Sequence, residues 1–154
     1  METILQFLHV VSACVLVGST LFIGFVLIPT LRESLPDQER LSVLRRMGFR
    51  ARLLNWVSIF LLIGIGLYRI HDLGGFFWDS PYGGILKLKV GLVSFFVILA
   101  FLHDFVLGAK ATRMTSGTPE FKKLRRLTII LAQLQLVVLL AIIFLSVRLR
   151  LYSW

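Results

Sequence analysis

The sequence predicts an all-α integral membrane protein, a four-helix bundle whose helices cross the bilayer. Of the 154 residues, 57% are hydrophobic and 16% are charged, and the mean hydropathy is +0.86. These values lie outside the usual composition of soluble globular domains. Four separate windows are long and apolar enough to cross a hydrocarbon core, which takes about 20 helical residues. The formal net charge of +9 is concentrated between these windows, where membrane proteins carry basic loops.

The first span is expected at about residues 4–29. It has no basic residues before it and exceeds the apolar core of a signal peptide, about 7–15 residues, so we expect it to remain in the mature protein. Pro29 is expected to end this helix because proline is poorly tolerated inside one. A turn at Leu35-Pro36-Asp37 precedes a basic amphipathic segment at about residues 37–50, which should lie in the headgroup region.

The second span, at about residues 51–70, is the shortest apolar run of the four. Arginines at both of its ends can extend along the helix to reach the interfaces, so a short span is still compatible with crossing. The third and fourth spans are expected at about residues 85–108 and 126–148. Residues 1–154 therefore read as a single transmembrane domain, and no internal repeat is evident.

Basic residues predict the orientation of the spans. The connection between the first two spans and the connection between the last two should both be cytoplasmic, because basic loops stay on that side. The middle connection has fewer basic residues and contains the glycine- and aromatic-rich run Gly74–Trp78, so it belongs outside with both termini. Six basic residues lie in each cytoplasmic connection, namely Arg32, Arg40, Arg45, Arg46, Arg50 and Arg52 in one and Lys110, Arg113, Lys122, Lys123, Arg125 and Arg126 in the other.

This orientation predicts a multi-pass protein of a bacterial or archaeal cytoplasmic (inner) membrane, with both termini on the periplasmic side. Arg148 and Arg150 near the C-terminus oppose it but are outnumbered by the two basic clusters. The partner implied by this composition is the lipid bilayer, because anionic headgroups account for the positive charge. The same argument excludes nucleic acid as the partner.

Polar residues inside the spans are the candidate functional residues, because ionisable groups are expensive in hydrocarbon. His9 and His103 are candidate ligands of a metal or of heme iron, and so is His71 at the outer end of the second span. One metal ion cannot bind both His9 and His103, because their expected depths differ by about 20 Å. Supporting polar residues are Asp104, Lys89, Asn55 and Gln133.

A polar layer is expected in the cytoplasmic half of the spans, and it has two explanations that the sequence leaves open. Its members could form a site, or they could hydrogen-bond across helices and fix the packing. Asp104 projects about 100° away from His103 on an ideal helix, so we expect it to act behind the metal ligand or to pair with Lys110 or Arg113. The layer contains Ser19, Thr20, Asn55, His103, Asp104 and Gln133, and close helix contacts are expected at Gly18, Gly24, Gly64, Gly66 and Gly91.

Several classes of chemistry lack their motifs in this sequence. Cys14 is the only cysteine, so no internal disulfide can form and no cysteine pair can bind a metal. There is no Gly-x-Ser-x-Gly, no His-Glu-x-x-His and no phosphate-binding glycine loop. Whether the protein is an enzyme stays open, and these absences favour a non-enzymatic role.

Three fragments resemble the CopD-like copper-resistance membrane proteins, and the resemblance covers nearly the whole chain. They are Leu8-His9, the run from Ser80-Pro81-Tyr82-Gly83 to Leu86-Lys87-Leu88-Lys89, and Leu102-His103-Asp104-Phe105-Val106-Leu107-Gly108. The resemblance implies four helices and the handling of copper at the membrane, by binding or transport, with a periplasmic copper carrier as a partner.

A looser similarity exists to the HemJ four-helix membrane proteins, which also have a histidine early in the first helix and a lysine opening the third. His9 and Lys89 occupy these places here. This resemblance implies a b-type heme in a membrane redox protein, with His9 as axial ligand and Lys89 as the partner of a propionate or of a reaction intermediate. A third hypothesis is an accessory subunit whose helices only pack within a larger membrane complex.

Overall fold

The computed structural model describes residues 1–72, 80–108, 110 and 118–151. Four helices account for nearly all of these residues, and each is long and apolar enough to cross a membrane. The predicted all-helical class is therefore confirmed, together with four helices of the length and composition that spans require. The features expected at Gly74–Trp78 and Arg113 lie outside the described residues. The helices are α1 (Glu2–Ser34), α2 (Asp37–Asp72), α3 (Pro81–Leu107) and α4 (Pro119–Leu151).

The helices form two compact units, Met1–Asp72 and Leu73–Trp154. In the first unit α1 packs along α2, and in the second α3 packs along α4. Few apolar side chains are buried, and many large ones are exposed, among them Phe25 at 69% and Phe144 at 62%. Such faces suit lipid, because hydrocarbon solvates apolar side chains as well as a protein interior does.

Helix α2 extends well beyond the apolar run that predicts it. Its 36 residues span about 54 Å, whereas the hydrocarbon core is about 30 Å thick. The amphipathic segment predicted at residues 37–50 is the first part of this helix rather than a separate element. Arg40 in this part is 9% exposed, so one side of the segment is covered by protein.

The expectation that Pro29 ends the first helix is wrong, because α1 continues to Ser34. A π-helical turn at Phe22–Leu27 precedes the proline, and the backbone N–H of Ile28 donates to the carbonyl of Ile23, five residues back. Proline inside an α-helix lacks a donor and collides with the carbonyl four residues earlier. The wider π turn changes that local pairing just before the ring, and the helix can continue.

A second π-helical turn, Leu102–Leu107, forms the end of α3 and contains His103 and Asp104. Single π turns within α-helices are rare and occur frequently at functional sites. This unusual turn therefore lies in the same stretch of α3 as two of the predicted polar residues.

Helices α3 and α4 both begin with a hydroxyl residue followed by proline. The backbone N–H of Gly83 donates to Ser80 Oγ at 3.0 Å, and that of Phe121 donates to Thr118 Oγ1 at 3.2 Å. These are N-caps, with proline at the first helical position where its missing N–H costs nothing. Part of the run that resembles CopD-like proteins, Ser80–Gly83, thus has a structural role in starting α3.

The two units share several local features at a constant offset of 80 residues. The shared features are a π turn, two short identical runs and a common pattern of burial. In order, they are the turns starting at Phe22 and Leu102, the Phe-Val-Leu runs 25–27 and 105–107, the Leu-Arg-Arg runs 44–46 and 124–126, and residues 51–60 and 131–140, whose burial classes agree at every position.

Within the part of the chain that the structure describes, the glycines expected at close helix contacts do not make them. A Cβ atom built on any of the five would meet no atom of these residues within 4 Å, other than the nearby backbone of its own helix and its chain neighbours. Packing among the described residues therefore does not require small size at these positions. The five are Gly18, Gly24, Gly64, Gly66 and Gly91.

Candidate functional site

A hydrogen bond between helices joins α1 to α2 within the apolar part of the first unit. Ser19 Oγ donates to Asn55 Oδ1 at 2.6 Å, and it also lies 3.1 Å from the carbonyl oxygen of Leu16 on its own helix. A hydroxyl has one proton, so the shorter contact to Asn55 is its main bond. The structure thus brings together two members of the predicted polar layer, in the packing arrangement that was one of its two explanations.

We expect Ser19→Ala to lower the free energy of unfolding by about 1 kcal/mol, because hydrogen bonds between membrane helices are worth about that much. Unfolding with a denaturing detergent, followed by circular dichroism, measures the change. The matched control is Ser94→Ala, because the exposed Ser94 hydroxyl bonds the carbonyl of Val90 on its own helix at 3.0 Å. A loss in the control as large as that in Ser19→Ala would contradict the inter-helix role.

A row of polar side chains lies on one face of α1 near its N-terminal end. Gln6, His9 and Ser12 follow one another at three-residue spacing, which places them on the same side of a helix. Ser12 is 4% exposed, the Nδ1 atom of His9 is buried, and the buried Gln6 Oε1 has no hydrogen-bond partner among the described residues. Sequence reasoning singled out His9 but missed Gln6 and Ser12, which the spacing alone could have revealed.

The other predicted polar residues occupy different surroundings. His71 is exposed in the last turn of α2, and Gln133 is exposed on α4. Lys89 is half-buried on α3, about four turns before the π turn. In the described part of the second unit, the candidate site therefore consists of His103 and Asp104.

His103 and Asp104 form a hydrogen-bonded pair inside the second π turn. The distance from His103 Nδ1 to Asp104 Oδ1 is 3.0 Å, and the two side chains are 29% and 19% exposed. The contact is compatible with Nδ1 as the donor and the Asp104 carboxylate as the acceptor, and in that tautomer the lone pair lies on Nε2. Metal-binding histidines are commonly oriented in this way by a carboxylate behind the ring.

The described residues contain no group of three or more His, Cys, Asp and Glu side chains close enough to hold a metal ion. His103 thus provides a single imidazole donor. A metal ion bound to it would need further ligands of other kinds to complete its coordination.

Comparison with known proteins identifies the family. Residues 11–120 match a domain of unknown function, DUF4149. The chain belongs to the DUF4149 family. The residues matched by the DUF4149 domain include Asn55, Lys89, His103 and Asp104 but not His9.

One relative of this DUF4149 chain is a protein of Aquifex aeolicus (strain VF5) described as an uncharacterized protein. It is 32% identical over 152 residues, which cover 98% of this chain and 96% of the relative. No solved structure matches the chain. The DUF4149 name carries no activity, so the resemblance to CopD-like and HemJ proteins stays a hypothesis.

Proposed function

We propose that this DUF4149 protein binds a copper ion within the membrane and passes it on, with His103 as the principal ligand. The observation that supports this function is the hydrogen bond between His103 Nδ1 and Asp104 Oδ1. In the tautomer with its proton on Nδ1, the imidazole would present Nε2 to a metal. Imidazole is a good ligand for copper, and the resemblance of Leu102–Gly108 to CopD-like proteins favours copper as the transported ion.

We further propose that both basic connections face the cytoplasm and that both termini face the periplasm of a bacterial or archaeal inner membrane. The described basic residues at the starts of α2 and α4 include the exposed Arg45, Arg46, Lys122 and Lys123. Excess Lys and Arg next to membrane spans holds a loop on the cytoplasmic side. In this orientation His103 lies near the cytoplasmic end of α3. A copper ion delivered by a periplasmic carrier would then have to cross most of the membrane to reach it.

The test is elemental analysis of the protein purified in mild detergent after exposure to Cu(I), together with an optical spectrum. We expect stoichiometric copper in the natural protein and background copper in His103→Ala. His71→Ala is the matched control, because it removes an exposed histidine and should keep the copper. Copper content that His103→Ala leaves unchanged, or a natural protein that takes up none, would contradict the proposal.

A second candidate function is a b-type heme protein, favoured by the position of His9. This histidine is half-buried on the α1 face that also carries Gln6 and Ser12, and helical proteins build cofactor sites from inward-facing side chains. His9 would supply an axial nitrogen, and the heme would supply one-electron redox chemistry. A Soret band that disappears in His9→Ala but persists in His103→Ala would favour heme over copper.

The same purified sample separates the accessory-subunit hypothesis from the other two. A protein without copper or heme that co-purifies with other membrane proteins at fixed stoichiometry would support a subunit role. A solitary protein with bound copper would count against it.

A further inference from the structure

We propose that the two diarginine pairs, Arg45-Arg46 on α2 and Arg125-Arg126 on α4, bind the phosphate groups of anionic phospholipids. The pairs lie at equivalent positions of the two units, because each follows a leucine in the Leu-Arg-Arg runs that are 80 residues apart. This inference does not depend on copper or heme binding.

The burial pattern turns each diarginine pair outward. Leu124, directly before the second pair, is 6% exposed, and Leu44 before the first is half-buried. All four arginines are exposed. Each leucine therefore faces protein while the arginines after it face the surroundings of the helix.

A large exposed apolar side chain lies one helical turn beyond each diarginine pair. Phe49, four residues after Arg45, is 70% exposed, and Ile129, four residues after Arg125, is 48% exposed. Residues four apart lie on the same face of a helix. Helix α4 becomes apolar directly after Arg126, and α2 becomes apolar after Arg52. The proposal therefore places Phe49 and Ile129 at the edge of the acyl region and the arginines among the headgroups. This order is the one that interfacial helices use to bind anionic membranes.

Arginine and phosphate match in geometry and charge. The guanidinium group donates two parallel hydrogen bonds to phosphate oxygens. The neighbouring exposed residues Arg50, Lys122 and Lys123 add positive charge, which favours a lipid with net negative charge over a zwitterionic one. The adjoining apolar side chains favour a lipid phosphodiester over free phosphate, because only the lipid brings acyl chains to cover them.

Native mass spectrometry of the full chain in mild detergent can test this proposal. Dioleoylphosphatidylglycerol and dioleoylphosphatidylcholine are added separately, so that only the headgroup differs. We expect the natural protein to retain phosphatidylglycerol preferentially. Each basic residue near the surface contributes about fivefold in affinity for anionic lipid, so R45Q/R46Q and R125Q/R126Q should each weaken retention by more than tenfold. The quadruple variant should lose the preference.

The matched control is R148Q/R150Q, which removes the same charge from the opposite end of α4 and should retain phosphatidylglycerol as the natural protein does. Replacement of a diarginine pair by lysines should keep part of the preference, because charge remains and the forked hydrogen bonds are lost. Elution volume and circular dichroism verify that each variant is folded. If a glutamine variant does not fold, the test is the relative retention of phosphatidylglycerol and phosphatidylcholine by the natural protein and by the lysine variants.

Three outcomes would overturn the proposal. The first is equal retention of the two lipids by the natural protein. The second is a loss in R148Q/R150Q as large as in the diarginine variants, which would indicate net charge rather than these positions. The third is displacement of phosphatidylglycerol by inorganic phosphate, which would assign the positions to a soluble anion.

Discussion

Asp104→Ala is expected to weaken the copper binding proposed for His103 by about 10- to 100-fold, the usual effect of losing the carboxylate behind a metal-binding histidine. Asp104 Oδ1 lies 3.0 Å from His103 Nδ1, and in the proposed site it would hold the proton on Nδ1 and orient the ring. Without the carboxylate the proton could move to Nε2, the nitrogen proposed to bind copper. Asp104→Asn keeps an acceptor oxygen at similar reach, so its loss in affinity should be smaller.

Competition with a Cu(I) chelator of known affinity measures this series. Glu120→Gln is the matched control, because Glu120 is an exposed carboxylate in the first turn of α4 and its loss should leave copper binding unchanged. The expected order of affinity is natural protein, then Asp104→Asn, then Asp104→Ala. Equal affinity in all three would show that the carboxylate does not orient a metal ligand, and the copper proposal would lose its main support.

The second large effect concerns the orientation of the helices, which should give an all-or-none result. In a Cys14→Ser background, Glu2→Cys is expected to react with a membrane-impermeant maleimide in cells with a permeable outer envelope and an intact inner membrane. Glu39→Cys should react only after the inner membrane is opened. The two positions are matched, because both replace an exposed glutamate near the start of a helix.

The physical reason is the concentration of Arg and Lys from Arg32 to Arg52, mostly at the start of α2, and from Lys110 to Arg126, mostly at the start of α4. Such basic segments resist transfer across the membrane. Reaction at Glu39→Cys without opening of the inner membrane would contradict this orientation. Reaction at both positions would indicate that the chain inserts in two directions. Reaction at neither would mean that the N-terminus is not outside.

Composition predicts the four helices correctly, but it gives their ends poorly. The apolar windows measure how much of a helix can lie in lipid, whereas α2 begins at Asp37, well before its apolar run. The prediction that Pro29 ends α1 is wrong for a related reason. A proline is compatible with a continuing helix when a π turn precedes it. No local sequence pattern predicts that the backbone N–H of Ile28 donates to the carbonyl oxygen of Ile23.

The candidate residues can be picked out from the sequence, because His103 and Asp104 stand out in an apolar run. An ideal helix separates them by about 100°, and the sequence left two roles open for Asp104, behind the metal ligand or paired with Lys110 or Arg113. Spacing alone does not choose between these roles, whereas the structure shows a hydrogen bond between the two side chains. The bond between Ser19 and Asn55 was easier to anticipate, because it follows from similar depth on neighbouring helices.

The glycines of α1, α2 and α3 have a consequence for the heat resistance of the protein. Alanine at Gly18, Gly64 or Gly91 would place its methyl group where no atom of another described segment lies within 4 Å. It would also reduce the freedom of the unfolded chain, which is how such replacements stabilise proteins. We therefore expect these alanines to raise the melting temperature, an improvement that natural proteins commonly leave open because selection asks only for sufficient stability.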